Sequence, residues 1–222
     1  MAAVSPETLE ALAAQQRALA QRVLECPLPK PPQWLAGADV HLLGNQAVAV
    51  VVILDAATLA VHDVCTATVD ITFPYVPGFL SFREAPAVLA ALAKLSQPPE
   101  LLFIDGQGKA HPRRCGLACH IGVTCDLPTI GVAKSKLCGV YHELGNDAGA
   151  TAPLIDHGEV VGMAVRTRTG VAPVFVSVGH RITLGEAVDW VLRTARYRIP
   201  EPTRQAHRYA QQAVAAFRAQ SP

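Results

Sequence analysis

The 222-residue chain has no long hydrophobic run. Its longest apolar stretch, Ala47 to Leu54, is far short of the ~20 residues that span a bilayer, so no membrane association is expected. It also lacks an excess of one charge. Nineteen Lys and Arg stand against 18 Asp and Glu, a net of +1, so bulk charge announces no polyanionic partner. The N-terminus sets Glu7 and Glu10 among alanines, without the basic start and apolar core of a secretion signal. The six cysteines form no C-x-x-C pair, and there is no zinc-finger or helix-turn-helix spacing, internal repeat or low-complexity tract. With half of the residues apolar, disorder is excluded. The expectation is a soluble, cytoplasmic, monomeric protein, one domain over residues 1–222, with Cys26, Cys65, Cys115, Cys119, Cys125 and Cys138 as free thiols.

What is present reads as an α/β pattern. Ser5 and Pro6 open an amphipathic helix over 5–25, and a core follows over about 34–218. Strands are expected at Trp34–Val40, Ala47–Asp55 and Leu59–Thr72, the second apolar on both faces like a central strand. Residues 73–82, FPYVPGFLSF, form a loop. Ser81 and Glu84 have the spacing of a capping box for a helix to about Leu95. A short strand, Leu101–Asp105, precedes a helix over about 113–125 and a strand at Thr129–Lys134. Residues 138–159 read as loops, 160–167 and 171–178 as a hairpin around Gly170, and 183–196 and 202–218 as closing helices. Such a sheet places ligands beyond the carboxyl ends of its strands, where the strand order reverses.

Two acids fall at such ends. If the strands bearing Asp39 and Asp105 are parallel neighbours, they lie ~4.8 Å apart, and their carboxylates could share a divalent cation. Oxygen ligands at an open site favour Mg2+, with Mn2+ as substitute. Read alone, Asp105 equally opens an Asp-Gly turn, and Glu84 equally completes the capping box. Asp39, among Ala36, Gly37, Ala38 and Val40, is a charge in an apolar strand and harder to dismiss.

Read in order, five segments narrow the choice: AGADV at 36–40, PYVPGFLSFRE at 74–84, DGQG at 105–108, HPRR at 111–114 and GVAK at 131–134. Together they resemble the endonuclease V family of deoxyinosine-specific repair nucleases. The resemblance implies a ribonuclease H-like mixed central sheet flanked by helices. It also implies Mg2+-dependent hydrolysis of the second phosphodiester bond 3′ to a deaminated base. On that resemblance Asp39 and Asp105 are metal-binding, Glu84 is the third acid, and His207 completes the site. Tyr75 is the wedge that fills the gap left by an everted base. Backbone near Gly78, Leu80 and Gly106, with Pro77 in the loop and Leu117 as a wall, forms the base pocket. Lys134 brings a positive charge to the scissile phosphate, and His111 positions water or assists proton transfer. Gln107 stands where many relatives carry histidine.

Each role has a plainer counterpart: Lys134 as a solvated strand end, His111 as a turn residue, and Tyr75 as packing for its loop. Lys109, Arg113, Arg114, Lys134, Lys136 and the six arginines between Arg193 and Arg218 are candidates to track phosphates. The expected partner is inosine-containing DNA, with inosine-containing RNA or single-stranded DNA as alternatives. Two further readings stay open, a lesion-binding module without catalysis and a thiol hydrolase using Cys119.

Overall fold

The computed structural model describes residues 4–220, apart from the side chains at 218 and 220. One mixed eight-stranded sheet runs in the order β3-β2-β1-β4-β5-β8-β7-β6. Its strands are β1 (Trp34–Leu43), β2 (Gln46–Asp55), β3 (Val61–Asp70), β4 (Leu101–Asp105), β5 (Thr129–Ala133), β6 (Thr151–Asp156), β7 (Glu159–Val165) and β8 (Val174–His180). The helices are α1 (Pro6–Ala20), α2 (Leu80–Leu92), α3 (Leu117–Cys125), α4 (Leu184–Thr194) and α5 (Glu201–Gln220). None of the described helices is long and apolar enough to cross a membrane.

Strand periodicity sorts the helices between two faces. Ala36, Ala38, Leu102 and Ile104 turn toward α2 and α3, in a core with Val51, Ile53, Val88 and Ile121. Leu35, Leu101, Phe103 and Val176 turn the other way, onto Val188 and Val191 of α4. On this second face Val50, Val52 and Leu54 receive Ala206 and Ala210 of α5. β2 is buried from Ala47 to Leu54, as a strand covered on both sides must be.

Three expectations change. Residues 138–159 are not all loop, because β6 lies within them and pairs antiparallel with β7. Pro153 hid this strand, but β6 is the sheet's last strand, where a missing N–H is tolerated. The helix expected from about 113 begins at Leu117, since Arg114 adopts φ +56° and breaks helical geometry. There is also no capping box at Ser81 and Glu84. The N-cap of α2 is Phe79, with no side-chain cap, while Ser81 is buried and accepts a hydrogen bond from Gln16 Nε2 at 3.4 Å. A capping box does form at Thr183 and Glu186 of α4.

One glycine seats α5. A Cβ on Gly37 of β1 would lie 1.9 Å from the Pro202 carbonyl oxygen and 2.8 Å from the Thr203 nitrogen. Only the missing side chain lets the start of α5 approach the strand so closely. Ala is ordinarily better than Gly inside a strand, but here it must push the helix away. Gly37→Ala is expected to destabilise the protein by at least about 2 kcal/mol. Denaturant unfolding checks this, and wild-type stability in the variant would refute the proposed docking of α5.

Candidate active site

β1 and β4 are parallel, with Leu35 to Ala38 paired to Leu101 to Ile104. The pairing stops one residue before both acids, so Asp39 and Asp105 lie side by side where the two strands part. Beyond that point β1 continues against β2 alone, and β4 ends. Alternation along β1 puts Gly37, Asp39 and His41 on the face that carries α5. There His207 Nδ1 lies 2.8 Å from Asp39 Oδ2, and His41 Nδ1 lies 3.3 Å from the same oxygen.

Glu84 reaches the pair from α2. Burial and then the charges of Asp39 and Asp105 push its carboxyl up to about 8. No hydrogen bond to that carboxyl is found among the described residues. Asp105 is also raised, mainly by burial, against the pull of Lys134, whose Nζ is 2.5 Å from Asp105 Oδ2. The charges of Asp39 and Asp105 act on Glu84 and that of Asp39 acts on Asp105, so the three repel one another when ionised. Among the described residues, Lys134 is the lysine or arginine in hydrogen-bonding contact with these acids, and His207 contacts Asp39. The Lys134 carbonyl is anchored by Arg198 Nη2 at 2.7 Å.

Next to the acids opens a cavity of about 410 Å3. Tyr75, Pro77, Gly78 and Leu80 line one wall, and Gly106, Leu117, Asp105 and Lys134 another. Tyr75 is 67% exposed, so it does not pack the loop onto the core. Phe73, Phe79 and Phe82 do that, with ring centroids 6.3–6.5 Å apart.

The rim of the cavity is fixed by the Gly78 carbonyl, at a glycine with φ +78°. Three donors converge on its oxygen: Arg113 Nη2 at 2.5 Å, His111 Nε2 at 3.0 Å and Gln16 Nε2 at 3.2 Å. Arg113 Nε also donates to Gln16 Oε1 at 2.6 Å, and the guanidinium stacks on Phe79, 4.2 Å from its centroid. His111 belongs to the same network. Its Nδ1 accepts from the Arg113 backbone N–H at 3.1 Å, so the proton sits on Nε2 and is given to Gly78. Burial, with Arg113 nearby, lowers the imidazole to about 4. Both ring nitrogens thus hold backbone groups at the cavity rim.

The cationic track is revised. Lys109 pairs with Glu25 and Glu159, and Arg114 with Asp156 and Glu159. Arg198 is spent on carbonyls, Arg204 on Glu201, and Lys136 on the Gly139 carbonyl. The Arg218 side chain lies outside the described residues. Cys119 is fully buried, its thiol donates to the Val178 carbonyl, and burial raises its pKa well above the ordinary range. It has neither the access nor the thiolate character of a nucleophile. All six cysteines are free.

Two participants escaped the sequence reading. Gln16 lies on α1, ahead of the core read at 34–218, and a buried glutamine leaves no motif. His41 did leave a signal, since residues i and i+2 of a strand share a face.

A family model described as Endonuclease V matches residues 17–208. A relative from Roseiflexus castenholzii, named Endonuclease V, is 52% identical over 204 residues, covering 91% of each chain. The crystal structure of Endonuclease V from Streptomyces avermitilis has a TM-score of 0.89 at 47% identity, over 93% of each chain. Endonuclease V from Ciona intestinalis, solved with a 23mer DNA containing an inosine followed by a ribo-adenosine, has a TM-score of 0.86 at 27% identity. That match covers 96% of this chain and 100% of the other. Sequence and fold agree along nearly the whole length, and the chain belongs to the endonuclease V family.

Proposed function

We propose that this chain recognises deoxyinosine in DNA and hydrolyses the second phosphodiester bond 3′ to it with Mg2+. The observation that carries this reading is the placement of three coupled acids, Asp39, Glu84 and Asp105, beside a base-sized cavity with an exposed tyrosine on its rim. The Ciona relative, solved on inosine-containing DNA, supports the same substrate.

The residues fit a divalent cation. Asp39, Asp105 and Glu84 act on one another through their charges, Lys134 contacts Asp105, and burial adds to the rise of the Glu84 carboxyl. Asp39, Glu84 and Asp105 would hold the ion, with His207 at its edge. A bound cation would lower the pKa of water and relieve charge on the leaving oxygen. Lys134 would meet a phosphate oxygen, exchanging part of its contact with Asp105 for the substrate. Tyr75 is positioned to enter the base stack, on a backbone stiffened by Pro74 and Pro77. The everted base would enter between Gly78, Leu80, Gly106 and Leu117, and eversion is least costly for a mispaired base such as inosine. His111 acts here by holding the cavity rim in place.

Inosine-containing RNA is the second reading, because the DNA of the Ciona complex carries a ribo-adenosine after the inosine. A binding module without catalysis is disfavoured by the presence of all three acids.

End-labelled inosine duplex incubated with Mg2+ should be nicked at the second bond 3′ to inosine, and a chelator should stop the reaction. Asp39→Ala should still bind this duplex while nicking at least ~100-fold more slowly. Nicking at the wild-type rate would remove the acid cluster from the chemistry. Matched DNA and RNA oligonucleotides assayed side by side should favour DNA, and faster RNA turnover would reverse the choice. A pH effect follows from His111, whose ring is neutral in the fold and gains a proton on unfolding below about 6.5. Its contribution is complete at neutral pH and is lost as pH falls toward 4. Between pH 7 and 5 wild type should therefore lose on the order of 2 kcal/mol more stability than His111→Gln. Parallel pH profiles from denaturant unfolding would contradict the buried, neutral ring.

A further inference from the structure

Asp39 Oδ2 faces two imidazoles as well as the acids. His41 Nδ1 is 3.3 Å away and His207 Nδ1 is 2.8 Å away, with ring centroids 5.0 Å apart and tilted by 44°. Each of the three residues offers one ligand atom such that all three atoms lie within 4.8 Å of one another. Bonds of about 2.1 Å to one ion set neighbouring ligand atoms about 3.0–3.4 Å apart, in octahedral or tetrahedral geometry. The two distances to Asp39 Oδ2 lie close to this range, so small side-chain movements would suffice.

His41 is the informative member. Its Nδ1 is buried and has no hydrogen-bond partner, although a carboxylate oxygen is 3.3 Å away. The contact is close enough for charge yet misaligned for a hydrogen bond, so an ordinary ion pair leaves the nitrogen unsatisfied. His207 has support behind it. Its Nε2 lies 3.1 Å from the Gln211 amide nitrogen, one helical turn along α5, and turning that amide over would present its oxygen to accept the Nε2–H of a ring that ligates through Nδ1. Outer partners of this kind orient a metal-ligating imidazole. The side chains of Asp39, His41 and His207 are 11%, 26% and 40% exposed, so an ion can arrive from solvent.

We propose that Asp39, His41 and His207 form a seat of two imidazoles and one carboxylate for a transition-metal dication of the Co2+ or Zn2+ class, with His41 as a ligand. It rests on the reading of Asp39 as a cation ligand of the hydrolytic centre. It adds a nitrogen-rich side to a centre whose other donors, Glu84 and Asp105, are oxygens. Imidazole suits Zn2+, Co2+ and Ni2+, whereas carboxylate and water suit Mg2+. This chain should therefore hold a transition metal more tightly than its acids alone would, and the preference should reside in His41.

Co2+ titrated into metal-free protein, without DNA, tests this. Bound Co2+ is read from its visible absorption and from paramagnetically shifted imidazole N–H resonances. Wild type should show two such resonances. His41→Ser and His41→Asn should each keep one and bind Co2+ about 10–100-fold more weakly, while Mg2+ affinity, measured by calorimetry, shifts much less. Circular dichroism establishes that each variant is folded, and using two variants guards against the misfolding of one. Equal Co2+ affinity in wild type and both variants, or a single imidazole resonance in wild type, would overturn the proposal. Equal losses of Co2+ and Mg2+ affinity would overturn the preference. The titration needs no turnover. Absent nicking of inosine DNA would count against the hydrolytic reading, and absent Co2+ ligation by His41 against this one.

Discussion

Two parallel strands that part company one residue before a pair of aspartates set the terms for the rest of the site. Backbone pairing between β1 and β4 is indifferent to side-chain charge, so it can hold Asp39 and Asp105 together against their repulsion. Glu84 is then added from α2, where burial first and then the charges of Asp39 and Asp105 push its carboxyl up to about 8. Apolar packing on both faces of the sheet supplies the stability that this arrangement spends. Gathering like charges in a partly buried place is a local conflict of the sort found at functional sites. It is relieved by Lys134 and, on the reading proposed here, by a cation.

The cavity beside the acids depends on a different device. The Gly78 carbonyl gathers an amide, a guanidinium and an imidazole that come from α1 and from the segment between β4 and α3. A left-handed glycine makes the turn, and the converging donors keep it from shifting. Tyr75 can therefore stand in solvent without the loop being slack. Chemistry and recognition are thus held by separate means, the first by sheet register and the second by side-chain bonds to one backbone oxygen.

The same division explains what could be read in advance. Strands with strong periodicity, such as β2, and helices with a clear inner stripe, such as α4, were legible in composition and spacing. The edge strand β6 was not, because Pro153 is a penalty in a paired strand and harmless at an edge, and edge position is a property of the whole sheet. Ser81 and Glu84 have the spacing of a capping box, yet contacts distant in sequence claim both. Gln16, 65 residues away along the chain, takes the serine, and the acid pair takes the glutamate. Lys109 and Arg114 look like free cations in one dimension and are neutralised by acids on β7 and its neighbours in three.

The sequence by itself determined the alternation of strands and helices, the acids at 39, 84 and 105, and the tyrosine between prolines. The alternation and the buried charge of Asp39 follow from local rules, namely the period of apolar residues, the turn chemistry of Gly and Pro, and the cost of a charge inside an apolar strand. The roles of Glu84, Asp105 and Tyr75 came instead from the resemblance of their segments to the endonuclease V family. Only the tertiary structure decided which of these side chains meet. It tied both ring nitrogens of His111 to backbone and took Cys119 out of reach. It also brought His41 and His207, far apart in sequence, to one oxygen of Asp39. The reason is that a side chain's chemistry is set by its neighbours, and neighbours across a sheet are chosen by register and packing.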